Sequence, residues 1–226
     1  MNHLPIDTQR EAEPIRLFKS DILEFFTHIS PVTIVVLWLP IAVLLIVYAV
    51  INAPGSAFPV FIPLGFLFGL FLWTLAEYTL HRFLFHHKPT SPRQERILFM
   101  FHGIHHAQPQ VKTRLVMPLP VSIPGVAIFF GLFYLILAVL LKAPQWVAPN
   151  MAGFIIGYLV YDLAHYATHH FPMRLGYAKY IKRYHMQHHY KNPDTRFGVS
   201  SPIWDWVFQT QGTEKESICR TKRVIF

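Results

Sequence analysis

The chain has 226 residues, the length of one domain or two. It is 53% hydrophobic and only 14% charged, with a mean hydropathy of +0.33, whereas a typical soluble domain carries about a quarter charged residues. The formal charge of +8 is explained by basic residues flanking apolar runs, the pattern of membrane orientation, so nucleic acid is excluded as a partner.

The single cysteine, Cys219, leaves no internal disulfide and no thiolate cluster. Any metal site must therefore be built from nitrogen and oxygen. Residues 1–13 are polar and acidic, and no signal peptide is expected there. From Pro14 the apolar positions Ile15, Phe18, Ile22, Phe25, Phe26 and Ile29 recur near helical period. That pattern fits an amphipathic helix at the membrane surface, or one packed on the protein's own core. Residues 1–30 are expected to form this leading unit, and residues 31–226 one membrane-embedded domain.

Residues 32–51 carry no charge. At about 1.5 Å per residue they span roughly 30 Å, the thickness of a bilayer's hydrocarbon core. Asn-Ala-Pro-Gly-Ser at 52–56 forms a turn, and residues 57–80 form a second span. A polar stretch, residues 81–120, is punctuated by prolines; within it residues 93–106 read as one short helix. Residues 121–141 and 146–169 are the third and fourth spans. The expected architecture is an all-α integral membrane protein of four transmembrane helices in two hairpins, with a cytosolic helical cap. Of the 20 Lys and Arg residues only Lys142 falls in a short link between spans. The rest share one side, which the positive-inside rule makes cytoplasmic, together with both termini.

The histidines gather on that same side. They read His81-Arg-Phe-Leu-Phe-His86, His102-Gly-Ile-His105-His106, His165-Tyr-Ala-Thr-His169-His170 and His185-Met-Gln-His188-His189. Positions i, i+3 and i+4 share a helical face, so these spacings can present several imidazoles to one centre. His81 and His86 are five apart, and helical spacing does not choose between His86 and His87. About ten imidazoles suffice for two metal ions. His3 and His28 are read as structural, and His87 and His170 as supporting. Glu77 and Asp162 sit within spans, each placed either to accept the free ring N–H of His81 or His165 or to face water at a helix end. Tyr78, Tyr161, Trp204 and Trp206 are expected as interface anchors. Lys112 and Arg114 are candidates to attract an anionic head group.

Histidine-only ligation beside a bilayer points to oxygen-activating non-haem iron rather than a closed structural zinc site. Zinc can occupy imidazole sites as well, so retained zinc would not decide the metal. An apolar approach to the metals suits an acyl chain, and the chemistry is oxidation of an unactivated C–H bond by O2 and two electrons. A metal transporter would spread its ligands toward mid-bilayer and both faces.

The four histidine groups together resemble the fatty acid hydroxylase superfamily, which also contains sterol desaturases. Phe101-His-Gly-Ile-His-His106, Arg114-Leu-Val-Met-Pro118 and Phe197-Gly-Val-Ser-Ser-Pro-Ile-Trp-Asp-Trp-Val-Phe208 are similar to its fatty acid 2-hydroxylase branch. The resemblance implies a dimetal ligand set of His81, His86, His102, His105, His106, His165, His169, His185, His188 and His189. It implies two iron ions, O2 as cosubstrate, and hydroxylation at C2 of a fatty acid or sphingolipid N-acyl chain. A desaturase or hydroxylase of sterol or carotenoid is the alternative on the same core. The sequence has no His-Pro-Gly-Gly motif of a haem-binding domain, so a separate cytochrome- or ferredoxin-type donor with its reductase is expected. Its compact form favours a bacterial inner membrane, or the endoplasmic reticulum if eukaryotic.

Overall fold

The computed structural model describes residues 13–52 and 58–212. Residues 1–12, the inter-span link 53–57 and the basic tail 213–226 lie outside the described residues, and His3 and Cys219 with them. Nine α-helices are described: α1 (Asp21–Phe25), α2 (Pro31–Ile51), α3 (Phe58–Thr79), α4 (Pro92–Leu98), α5 (Ile104–Ala107), α6 (Leu119–Phe133), α7 (Val147–His170), α8 (Gly176–Tyr190) and α9 (Ile203–Val207). Among the described residues four stretches are long and apolar enough to cross a bilayer: Pro31–Ile51, Val60–Phe85, Lys112–Leu140 and Pro144–His170. They overlap the four expected spans: the first and fourth contain theirs, the second runs from Val60 on to Phe85, and the third starts earlier, at Lys112, and ends at Leu140. The first begins where Pro31 opens the helix and the Ser30 hydroxyl accepts the Val32 N–H at 3.1 Å.

The fourth span is the axis of the molecule. Of its apolar window 78% is buried, against 6% for the third span, whose side chains face outward. Helix α7 packs chiefly on α2 and α3. Trp38 of α2 and Trp73 of α3 meet the Tyr158 ring edge-on or tilted, at 6.2 and 5.3 Å between centroids. Between α3 and α7 the backbones themselves touch. A Cβ on Gly69 would lie 1.9 Å from the Asn150 carbonyl oxygen, and one on Gly153 would lie 1.9 Å from that of Phe66. Gly65 and Gly69 on α3 thus face Pro149, Asn150 and Gly153 on α7, the close small-residue packing by which helices associate in lipid. The order of these contacts makes the two helices parallel. Their C-terminal ends, carrying His81 and His165, finish at the same end of the bundle.

Helix α3 does not stop at Thr79. It runs on as a π-helical turn, Leu80–Phe85. The helix expected at 93–106 is present and also carries a π turn, Phe99–Gly103, between α4 and α5. At the N-terminus the helix is much shorter than the apolar period from Pro14 suggests, being confined to Asp21–Phe25. Tertiary partners intercept the backbone there. The Glu24 carboxylate accepts the N–H groups of Leu17 and Phe18 at 3.0 and 2.9 Å, and Gln108 Oε1 accepts that of Ile15 at 2.8 Å. Arg114 donates to the Ile15 carbonyl at 2.5 Å and to Glu24, tying this strap to the bundle.

Candidate metal centre

Ten histidines converge at the shared end of α3 and α7. They form two groups: His81, His86, His102, His106 and His188, and His105, His165, His169, His185 and His189. Within each group the candidate ligand nitrogens all lie within 4.8 Å of one another. In the first group Nε2 atoms face each other at 3.1 Å (His81–His102), 3.1 Å (His102–His86), 2.9 Å (His106–His102) and 3.1 Å (His188–His86). In the second the separations are 2.8 Å (His165–His105), 2.9 Å (His105–His189), 3.0 Å (His169–His185) and 3.1 Å (His189–His185).

These contacts fit metal ligation better than a hydrogen-bond network. Nδ1 of His81 and of His188 each meet a backbone carbonyl, Phe197 at 2.5 Å and Thr195 at 2.7 Å. Both rings must donate through Nδ1, so both Nε2 atoms point inward as bare lone pairs. Nitrogens bound at about 2.1 Å to one ion, at right angles, would stand about 3 Å apart, which is the spacing seen. The two groups adjoin where the His106 and His189 rings stack at 4.1 Å.

The local helix geometry explains which histidine goes where. In the π turn the His86 N–H bonds to the His81 carbonyl at 3.1 Å, an i to i+5 contact. This closes the five-residue gap and selects His86, leaving His87 exposed. The α5 region and α8 each split their three histidines between the groups. His102 and His106, one turn apart, serve the first while His105 turns to the second; His185 and His189 serve the second while His188 turns to the first. Burial holds these rings unprotonated. It pushes His86 down to about 4 and His106 to about 3, and with their neighbours it holds His102, His105, His185 and His188 well below the usual imidazole value.

The expected carboxylate partners are different from those observed. Glu77 does not meet the His81 ring. It accepts the Val199 and Ser200 N–H groups at 2.5 and 2.7 Å, and the Ser200 hydroxyl. Asp162 accepts the Met117 N–H at 3.1 Å rather than bonding to His165. Both buried carboxylates find loop amides that helix ends cannot satisfy, while ring orientation falls to carbonyls. Tyr78 and Tyr161 are buried rather than interfacial; the Tyr78 hydroxyl meets Thr210 and Arg82 at 3.0 and 2.6 Å. Arg114 is likewise buried and paired with Glu24, so its charge is not free for a head group. His28 is structural as expected, bonding Thr113 at 2.7 Å and Arg114 at 2.9 Å. His170 lies outside both groups, against Tyr166.

A cavity of about 270 Å³ opens onto the centre. Its floor includes His102 of the first group and His105 and His165 of the second. One wall is the N-terminal strap, through Leu17, Phe18, Leu23 and Phe26; the other includes Met117 and Val121 at the start of the third span. Sequence reasoning missed the strap's part in this wall, because an amphipathic stretch does not say what its apolar face covers.

A family profile described as fatty acid hydroxylase matches residues 66–210, which contain all ten histidines. The chain belongs to the fatty acid hydroxylase family. Among its relatives, the dihydroceramide fatty acyl 2-hydroxylase FAH1 of Arabidopsis thaliana is 35% identical over 213 residues, covering 94% of this chain and 85% of that protein. The fatty acid 2-hydroxylase of Homo sapiens is 34% identical, over 92% of this chain and 59% of the human one. A solved structure of full-length scs7p, with only the hydroxylase domain visible, is 37% identical and superposes with a TM-score of 0.76 over 84% of this chain and 69% of that one. The resemblance read from the histidine boxes is therefore correct at the level of the 2-hydroxylase branch.

Proposed function

We propose that this chain is a membrane-bound, O2-dependent diiron hydroxylase acting at C2 of a lipid acyl chain, either a free fatty acid or the N-acyl chain of a sphingolipid. The observation that carries the reading is the apolar cavity whose floor holds ligands from both histidine groups. The names of the relatives, which act on fatty acyl chains at C2, support the substrate class. The ten histidines act as the ligands, five to each ion. Bound there, two iron ions would supply the activation of O2. In the net reaction one oxygen atom enters the C–H bond as hydroxyl, the other leaves as water, and two electrons and two protons are consumed. The electrons come from a separate carrier protein.

The chain's own residues supply position and dryness. Leu17, Phe18, Leu23 and Phe26 shield the chain from water on the strap side, and Met117 and Val121 guide it from the third span. Buried, unprotonated imidazoles offer lone pairs without a carboxylate's negative charge. Residues 31–226 act as the catalytic unit, with the strap before them closing one wall of the cavity, the four spans as two hairpins and the histidine end on the cytosolic side, where the basic residues lie.

The test is expression of the chain in a host without 2-hydroxylated lipids, with lipid mass spectrometry and metal analysis of the purified protein. Two ions per chain and new 2-hydroxy acyl species support the reading. Loss of two hydrogens from the product, or turnover only of sterol or carotenoid, would replace it with the alternative chemistry on this core.

A further inference from the structure

The two histidine groups are supported unequally. In the first, the rings of His81 and His188 are oriented by the carbonyls of Phe197 and Thr195. Those carbonyls belong to one loop, residues 195–201, and the loop is itself pinned by two buried carboxylates. Asp205 accepts the Phe197 and Gly198 N–H groups at 2.9 and 2.7 Å and the Thr210 hydroxyl at 2.7 Å. Glu77 accepts the next two amides, Val199 and Ser200, at 2.5 and 2.7 Å. Four consecutive N–H groups are thus held by two carboxylates, one on α3 and one on α9. There is no slack in the loop: a Cβ on Gly198 would meet the Ser201 carbonyl oxygen at 2.1 Å. The Arg196 N–H to Thr210 carbonyl bond, at 2.8 Å, closes its base.

The second group has no such frame. Nδ1 of His105, His165 and His185 is buried without a hydrogen-bond partner among the described residues. The Leu115 carbonyl approaches His165 without reaching hydrogen-bonding geometry. Ring N–H partners fix the orientation and basicity of ligating histidines, and their loss typically weakens metal binding about 10- to 100-fold.

We infer that Glu77 and Asp205 are positioning residues for the first histidine group, acting through the 195–201 loop, and that the two metal positions are therefore unequal. The ion at His81, His86, His102, His106 and His188 is held firmly; the ion at the other five is exchangeable. This rests on the two-site reading above. It also gives the Phe197–Asp205 motif a role, as a scaffold for ligand orientation rather than a contact with substrate.

The experiment is chelator challenge of the full-length protein loaded with two ions, with metal retention followed over time by atomic spectroscopy. Wild type should lose one ion at least about ten-fold faster than the other. His185→Ala should lack the fast phase, and His81→Ala the slow one. Glu77→Met, which removes the acceptor of both amides, and Asp205→Asn, which leaves one of the Phe197 and Gly198 N–H groups facing an amide N–H, should accelerate the slow phase about ten-fold or more and leave the fast phase unchanged. Ser200→Ala, which keeps both amide contacts to Glu77, should have a smaller effect on the same phase. Loss of both ions at one rate would overturn the inference while leaving the two-site reading intact. Equal acceleration of both phases in Glu77→Met would reduce the carboxylate to a general stabilising role and overturn positioning. Fewer than two ions in the loaded wild type would overturn the two-site reading and this inference with it.

Discussion

Gly153→Ala adds one methyl group at the point where α3 and α7 touch. That carbon would lie 1.9 Å from the Phe66 carbonyl oxygen, and 3.0 Å from the Phe66 Cα. Neither atom is a flexible side chain, so the helices must part by at least about 1 Å to restore van der Waals distance. Overpacking of this kind costs typically 1–3 kcal/mol, and a backbone clash belongs at the upper end, about 3 kcal/mol. For a chain of this size that corresponds to a fall in melting temperature of roughly 6–12 °C. The displacement also reaches the metal centre, because the π turn that continues α3 carries His81 and α7 carries His165 and His169. Ligand distances tolerate only about 0.2 Å, so ion content should fall with stability. The assay is thermal unfolding in detergent alongside metal analysis. Gly125→Ala is the control, since a Cβ there meets nothing within 4 Å. Gly153→Ala that melts with wild type and retains two ions would refute the claim that this contact sets the geometry of the centre.

His86→Ala should remove an ion from the first group, whereas His87→Ala, at an exposed position, should keep both and shift stability by less than about 0.5 kcal/mol; metal analysis separates the two. Val121→Trp should obstruct the cavity leading to His102 and His105. Product formation should then fall several-fold while metal content stays at wild type, measured on the same preparation.

The spans and the histidine boxes were legible in the sequence because both are strong periodic or compositional signals. A run without charge at 32–51 has few folded states available to it other than a crossing helix. Helical spacing did not choose between His86 and His87, and only the family resemblance named His86. The choice depends on a π turn, and helical spacing assumes 3.6 residues per turn throughout. The partners of Glu77 and Asp162 were not legible for a related reason. Each lies one helical turn from a histidine, but its carboxylate bonds to amides far along the chain, at Val199 and Met117. Such pairings come from tertiary packing and leave no local pattern. The same holds for Arg114, which beside Lys112 in a loop looked available and instead holds down the N-terminal strap through Glu24 and Ile15. The division of ten histidines into two groups of five, with α8 and the α5 region each serving both, required the three-dimensional arrangement of four separate segments.

The most direct test of the whole account is lipid mass spectrometry on cells expressing the chain under isotope-labelled O2, compared with cells expressing His188→Ala. The account predicts acyl chains heavier by one labelled oxygen, fragmenting with hydroxyl at C2, and absent from the variant. Hydroxylated product carrying unlabelled oxygen, or the same product from the His188→Ala strain, would contradict it.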